Sequence, residues 1–317
     1  MAVKSVKKNA PKRLPSTGPK LGKQIWRNRQ LYLLMIPAVV YVLIFCYVPM
    51  YGVQIAFKNY RMSLGVMKSP WVGFKHFQSF FKSYSFWELL KNTLTVSLYS
   101  LVVGFPIPII VALIINELTG AYKKTVQTIL YAPHFISTVV LVGMMNIMFS
   151  PSFGIVNHIL EALGEERIYF FGKPEYFRHL YVWSGVWQNM GWNAIIYIAA
   201  LSGVDPTLHE AASLDGASRI QRIIHINLPC ILPTIIIMLI MRMGQLVSVG
   251  YEKVFIMQTP LNLDTAEVIS TFVYKRGIEK SNYSFAAAVD LFNNVVNITM
   301  LLIANKISSK VSETSLF

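Results

Sequence analysis

Six long apolar stretches restrict the fold of this chain more than any other feature. A helix that spans the hydrocarbon core of a membrane needs about 20 mostly apolar residues. Stretches of that kind lie at roughly 31–55, 93–116, 128–150, 180–202, 230–250 and 285–305. Charged residues make up only 14% of the chain, whereas a typical soluble domain has about 25%. The sequence therefore predicts an all-α, polytopic membrane protein with six transmembrane helices.

The distribution of basic residues predicts how these helices are oriented. Nine Lys and Arg side chains, and no acid, precede the first apolar stretch. Basic flanks stay on the cytoplasmic side and meet anionic lipid headgroups, so the net charge of +14 indicates membrane lipid rather than nucleic acid as the partner. We expect a basic cytoplasmic tail over 1–30, a transmembrane domain over 31–305 and a cytoplasmic tail over 306–317, with both termini inside.

No pattern in the sequence indicates nucleotide or metal chemistry. The segment from Gly18 to Gln24 has three residues between its glycines where a phosphate-binding loop has four, and Gln24 stands where Ser or Thr would bind magnesium. His209-Glu210 begins a zinc-protease-like string, but Ser213 occupies the position of the second ligand. We therefore expect no catalytic residue, no metal and no cofactor in this chain.

The segment 203–229 carries the sharpest signal. Asp205 and Pro206 form a helix start, with an N-cap acid followed by proline. Asp215-Gly216 permits a sharp turn, and Ser218 can cap a second helix over 219–226 that ends at Pro229. The pattern predicts a compact helix–turn–helix on the cytoplasmic face, with small residues that let another protein approach closely.

This segment resembles the EAA loop of permease subunits of binding-protein-dependent ABC importers. The shared pattern is Glu210-Ala211-Ala212, three residues, Gly216, nine residues, then Ile226-x-Leu228-Pro229. Looser similarity around Tyr131-Ala-Pro133 and Val254-Phe255 points to the carbohydrate branch, the maltose-type permeases. Gln258-Thr259-Pro260-Leu261 departs from that branch, where many members have a glycine-rich turn.

The resemblance implies a type I ABC importer fold in a bacterial cell membrane. Loop 203–229 would dock on a cytoplasmic ATPase, which uses ATP and Mg²⁺, and the coupling residues would be Glu210, Ala211, Ala212, Asp215, Gly216, Leu228 and Pro229. The implied partners are a homologous second permease in a heterodimer, two ATPase subunits and an extracellular sugar-binding protein.

Polar and aromatic side chains inside two of the apolar stretches are candidates for a sugar path. Such groups are costly in a membrane and usually face a bundle interior or a cavity, and sugars offer both hydroxyls and apolar faces. The candidates are Trp187, Gln188, Asn189, Trp192, Asn193, Arg242 and Gln245. The tryptophans could instead be interfacial anchors, and the amides could join helices. Arg242 would meet an acidic group on the substrate, such as a uronic acid, or a carboxylate on the partner permease.

Two other functions remain open at this point. The chain could be an ABC permease for peptides or inorganic ions, since an aromatic and amide lining favours sugar only weakly. It could also be a secondary transporter that needs no ATPase. Such carriers usually have two repeat halves, and the sequence shows no repeat. Copurification of an ATPase would separate the two classes.

Overall fold

The computed structural model describes residues 26–311, and in this part of the chain the structure is helical. The α-helices are α1 (Arg29–Val42), α2 (Val48–Met50), α3 (Gly65–Lys68), α4 (Lys75–Phe81), α5 (Phe86–Gly104), α6 (Pro106–Asn116), α7 (Gly120–Tyr131), α8 (Thr138–Met148), α9 (Ile155–Ala162), α10 (Pro174–Leu201), α11 (Pro206–Leu214), α12 (Arg219–Arg222), α13 (Leu228–Met243), α14 (Tyr251–Met257), α15 (Leu263–Ala266), α16 (Ile269–Tyr274) and α17 (Tyr283–Val311). Short 3₁₀ segments cover Tyr51–Phe57 and Ala132–Phe135, and π segments cover Leu43–Tyr47, Ile223–Asn227 and Lys275–Glu279. The predicted tails at 1–25 and 312–317 lie outside the described residues.

The chain divides into two units, residues 1–53 and 54–317. The described part of the first unit is a helix that begins at Arg29 and continues through the π segment Leu43–Tyr47. The second unit holds α3 to α17, and it contains both candidate sites.

Four helices within residues 26–311 are long and apolar enough to cross a membrane. They are Arg29–Phe57, Phe86–Asn116, Arg219–Met243 and Tyr283–Lys310, and a bent pair makes a fifth if it is counted as one span. Helix α10 has 28 residues, which at 1.5 Å per residue gives about 42 Å, but its Trp, Gln and Asn side chains lower its hydropathy. The all-α membrane fold is confirmed, and the count of six spans stays a prediction.

The third predicted span is broken rather than straight. The helical segment Gly120–Phe135 meets Thr138–Met148 at 97°. Pro133 has no N–H to donate, and Ile136 is extended, with φ −75° and ψ 126°. The Ser137 hydroxyl then accepts from the Val140 N–H at 3.3 Å and caps the new helix. Proline and serine together thus end one helix and begin the next inside an apolar stretch.

Pro229 does not end a helix, so the prediction of a helix over 219–226 that ends there is wrong. The helix runs on from Arg219 to Met243, and it stops short of residue 250, where the predicted span ended. Proline inside a helix removes a hydrogen bond and its ring crowds the preceding turn. The π segment Ile223–Asn227 ends two residues before Pro229, and its wider turn accommodates this misfit.

Helix α10 is the centre of the second unit. It packs against α5, α6, α7, α13, α14 and α15. Two apolar clusters include its buried side chains. One of them joins Phe177 to residues of α5, α8 and α14, and the other joins Ala194, Tyr197 and Leu201 to Ala112 and Ile231. The side chains between α10 and its neighbouring helices are therefore positioned by α10.

Buried amides fasten the segments between the long helices. Asn262 is 1% exposed and donates to the carbonyl oxygens of Phe171 and Met257 at 2.9 and 3.0 Å. Asn92 donates to the carbonyl oxygens of Asp264 and Glu267 at 2.8 and 3.2 Å. Because buried backbone carbonyls need partners, these two side chains give the connection from α14 to α17 a defined shape.

Gly191 allows α10 to approach α7 closely, and replacing it should destabilise the unit. A Cβ at this position would lie 2.1 Å from the Leu130 carbonyl oxygen. We expect Gly191→Ala to cost about 1–3 kcal/mol, as overpacked cores do, and to lower the melting temperature in detergent. Gly143→Ala is the matched control, because it also adds a methyl to a helix but meets nothing within 4 Å. Equal melting temperatures for the two variants would contradict the close approach.

Candidate functional site

The loop between α10 and α13 is held by its own capping interactions. Asp205 is the N-cap of α11, and its carboxylate accepts from the Thr207 N–H at 2.9 Å, which lowers the pKa of Asp205. Gly216 has φ +74°, the left-handed region that suits glycine. Its N–H donates to the Ser213 carbonyl, and the Ala217 N–H donates to the Ala212 carbonyl. These two bonds form a Schellman turn, so the predicted turn at Gly216 is confirmed.

A second set of contacts ties the turn to the helix that follows. Ser218 and Gln221 form a reciprocal capping box. The Arg222 guanidinium donates to the Ser213 hydroxyl at 2.7 Å, and that hydroxyl donates to the His209 carbonyl at 2.7 Å. Arg222 therefore links α12 to α11 across the turn.

The loop presents exposed apolar side chains together with exposed acids, among them Glu210 and Asp215. Leu214 is 91% exposed and Ile220 is 69% exposed. Glu210 and Ala211 are exposed and Ala212 is half-buried. Glu210, Ala211 and Ala212 lie in α11, and Asp215 and Gly216 lie in the turn that follows it. Leu228 and Pro229 lie instead in the long helix that leaves the loop. Leu214 and Ile220 supply exposed apolar area on this loop, and exposed apolar area that is contiguous often marks a contact surface.

A polar cavity of about 400 Å³ lies beside α10. Its lining comes from α5, α10, α14 and the end of α13, and includes the predicted residues Gln188, Asn189, Asn193, Arg242 and Gln245. Pockets that bind small ligands have volumes of roughly 300–1,000 Å³. The cavity is therefore large enough to hold part of an oligomeric solute.

Two of the predicted amides are already engaged in joining helices. Gln188 Nε2 donates to the Ile136 carbonyl at 2.7 Å, and this carbonyl lies at the break between α7 and α8. Asn189 Nδ2 donates to the Gly185 carbonyl at 3.0 Å, and its Oδ1 lies 2.9 Å from His134 Nδ1. Both side chains line the cavity, but several of their hydrogen-bonding groups are already used, most of them to hold α10 against the break between α7 and α8.

The two predicted tryptophans lie outside this polar cavity. Trp187 lines a second, apolar cavity together with Met144, Met145 and Met148. Trp192 stacks on the His134 ring, with centroids 4.4 Å apart and planes 6° apart. Their roles as sugar contacts stay predictions, and the structure does not bring them to Arg242.

Sequence reasoning missed three groups of the polar cavity, Lys253, Tyr181 and the hydroxyls of Ser97 and Ser100. The two serines are three residues apart in an apolar helix, a spacing that puts them on one side. Lys253 directly precedes the apolar run Val254–Met257, which was a signal for partial burial. No group of three or more His, Cys, Asp or Glu side chains that could hold a metal occurs within residues 26–311.

One helix joins the exposed loop to the polar cavity. Arg219 lies at the loop and Arg242 lines the cavity, and 23 residues of helix separate them by about 35 Å at 1.5 Å per residue. The chain thus has several membrane-length helices, and one of them joins an exposed loop to a polar cavity. These features define a multi-pass membrane transport subunit.

Residues 31–312 match the family of binding-protein-dependent transport system inner membrane components, and the chain belongs to this family. Protein LplB of Bacillus subtilis is 41% identical over 312 residues, which cover 98% of each chain. The polygalacturonan/rhamnogalacturonan transport system permease protein YteP of Bacillus subtilis is 39% identical over 292 residues, 92% of this chain and 91% of that one.

Solved structures agree with this assignment. A chain of a bacterial ABC transporter involved in the import of the acidic polysaccharide alginate is 43% identical, with a TM-score of 0.84 over 92% of this chain and 99% of that chain. A chain of a bacterial alginate ABC transporter in complex with an alginate pentasaccharide-bound periplasmic protein is 42% identical, with a TM-score of 0.85 over 93% and 99%. The chain is a multi-pass inner-membrane translocation subunit and not an enzyme.

The link from Arg222 to Ser213 should determine how firmly the loop is held. We expect Arg222→Ala to speed amide hydrogen exchange in segment 206–222 by up to about tenfold, because an exposed hydrogen bond of this kind contributes about 0.5–1.5 kcal/mol. The measurement is hydrogen exchange with mass spectrometry on the purified protein in nanodiscs. Ser213→Ala should act on the same segment, and the double variant should exceed neither single variant by much.

Arg219→Ala is the control for this experiment, because it removes the same charge from the same helix without touching Ser213. Equal exchange in the Arg219 and Arg222 variants would show that the guanidinium contact does not hold the loop.

Proposed function

We propose that this chain is a membrane-spanning permease subunit of an ATP-driven importer of oligo- or polysaccharides. The observation that supports this most is the single helix Arg219–Met243, which carries an EAA-type contact loop at one end and a polar cavity at the other. Relatives named for polygalacturonan and alginate transport support a carbohydrate cargo.

The cavity is the proposed segment of the translocation path. Asn193 and Gln245 line it, and no hydrogen bond within residues 26–311 involves their side chains. Amides of this kind can donate to and accept from sugar hydroxyls. Trp187 and Trp192 would contribute only where the path continues beyond the polar cavity.

The loop 203–229 is the proposed docking point for a cytoplasmic ATPase. Glu210 would pair with a basic group of that subunit, and Ala211, Ala212 and the exposed Leu214 would pack against its surface. A loop that is braced internally can transmit a displacement rather than absorb it, and the helix that follows would carry the displacement toward Arg242. ATP and Mg²⁺ would be used by the ATPase alone.

The full importer would contain further subunits. We propose a second, homologous permease, two ATPase subunits on the cytoplasmic side and an extracellular sugar-binding protein. The structure of an alginate transporter with its periplasmic protein is an example of the last arrangement. Both termini would face the cytoplasm, as the basic residues at 1–29 predict.

Transport would follow an alternating-access cycle. The binding protein delivers sugar to the outer face, ATP binding closes the ATPase pair and moves the coupling loops, and the path opens outward to accept the sugar. Hydrolysis then returns the permeases to the inward-open state and releases the sugar inside. In this cycle the chain itself supplies contacts and geometry, and no covalent chemistry.

Reversing the charge at Glu210 should abolish uptake. We expect Glu210→Lys to lower the import of radiolabelled oligosaccharide at least tenfold in cells, with unchanged amounts of protein in the membrane, because the variant repels the proposed basic group on the ATPase. Deletion of 206–218 should have the same effect. The control is Glu166→Lys, another exposed acid that the predicted topology puts on the outer side.

Persistent uptake in the Glu210→Lys and deletion variants would show that ATP hydrolysis is not coupled through this loop. Uptake that then collapsed with the ion gradient would identify a secondary transporter.

A further inference from the structure

The ammonium group of Lys253 occupies a niche on α10. Its Nζ donates to the Tyr181 carbonyl at 3.0 Å and lies 4.9 Å from the centre of the Tyr181 ring. A Cβ at residue 185 would lie 3.3 Å from this Nζ, so Gly185 leaves room for the cation. A carbonyl, a ring face and a missing side chain together hold the lysine at the wall of the polar cavity.

Nothing in the described part of the chain neutralises this charge. The three ion pairs found among residues 26–311 include neither Lys253 nor Arg242. Both cations line the same cavity, and its lining contains no Asp or Glu. Burial lowers the pKa of Lys253 to about 8, so the group is still mostly charged at neutral pH.

Holding an unpaired cation in a cavity costs free energy, and this cost suggests that the cation has a functional role. Partly buried charges normally meet an opposite charge, and removing them from water without one is unfavourable. If Lys253 only anchored α14 to α10, a neutral donor such as Gln would supply the bond to the Tyr181 carbonyl at lower cost. The ammonium has three N–H donors, and the bond to Tyr181 uses one of them.

We propose that Lys253, together with Arg242, makes the cavity selective for saccharides that carry carboxylates, such as oligomers of uronic acids. This inference rests on the proposed function, because it assumes that the cavity is part of the path. The sugar carboxylate supplies the counterion that the protein lacks, with Lys253 as one contact and Arg242 as another. Lys253 is thus a specificity-determining residue.

The test compares charged and neutral versions of the same sugars. Proteoliposomes with the complete importer and its binding protein are given labelled oligogalacturonate and oligoalginate, each with a carboxyl-reduced counterpart. For Lys253→Gln we expect the half-saturating concentration of the acidic sugars to rise roughly tenfold or more, the size expected for a lost charge-assisted hydrogen bond. Uptake of the reduced sugars should be unchanged, and Lys253→Arg should recover much of the acidic uptake.

Lys280→Gln is the matched control, since it removes one exposed lysine from the same predicted outer segment. It reports any general effect of charge on docking of the binding protein, and we expect it to resemble the wild type with all four sugars.

Every outcome other than the expected one contradicts the inference, and each does so differently. Equal loss of acidic and reduced sugars in Lys253→Gln would identify a purely structural lysine, and no change in either would remove Lys253 from the path. Wild-type uptake of the reduced sugars alone would overturn the selectivity and leave the sugar-import function intact. Wild-type uptake of none of the four would overturn the import of these saccharides, and the inference with it.

Discussion

Every helix break inside an apolar environment leaves backbone groups that need a partner, and this requirement organises the second unit. Lipid offers no hydrogen bonds, so the partners must come from the protein. At the break between α7 and α8, the Ser137 hydroxyl accepts a hydrogen bond from the Val140 N–H. The Gln188 side chain donates to the Ile136 carbonyl oxygen. Asn189 adds a contact to His134 one turn away. The central helix α10 is therefore rich in amides partly because its neighbour is broken.

The same requirement explains how the loop 203–229 is connected to the cavity. A proline that ended the helix at position 229 would have separated the loop from the membrane part by a flexible joint. The π segment before Pro229 lets the helix continue instead, and the capping box at Ser218 starts it directly after the turn. The result is a short braced loop fixed to a long rod, which suits the transmission of movement better than a hinge would.

The sequence predicted the helices, caps and turn well, but it did not predict which polar side chains join helices and which are free to face the cavity. Helices, the turn at Gly216 and the N-cap at Asp205 follow from local rules, since each depends on residues within a few positions. Gln188 and Asn189 were predicted as sugar contacts because they are polar and lie in an apolar helix. Whether such an amide faces cargo or a neighbouring carbonyl depends on a break that, for Gln188, is 52 residues away in sequence, and no local pattern reports that. Lys253 was missed for the same reason, because its niche is built by Tyr181 and Gly185 of another helix.

A path for charged sugar must attract its cargo and also let it go. A single tight site with a bidentate clamp would bind a carboxylate strongly and slow its release, whereas transport favours several modest contacts that a solute occupies in turn. The cavity has this character. Lys253 comes from the segment after α13, Arg242 comes from the end of α13, and the amides of Asn193 and Gln245 come from two further positions. Because these groups belong to different elements, a movement of the rod Arg219–Met243 would shift Arg242 relative to Lys253 on α14 and to Asn193 on α10. A carboxylate that both cations contact in one state would lose one of them in the next, and the coupling movement itself would then weaken the binding that brought the sugar in.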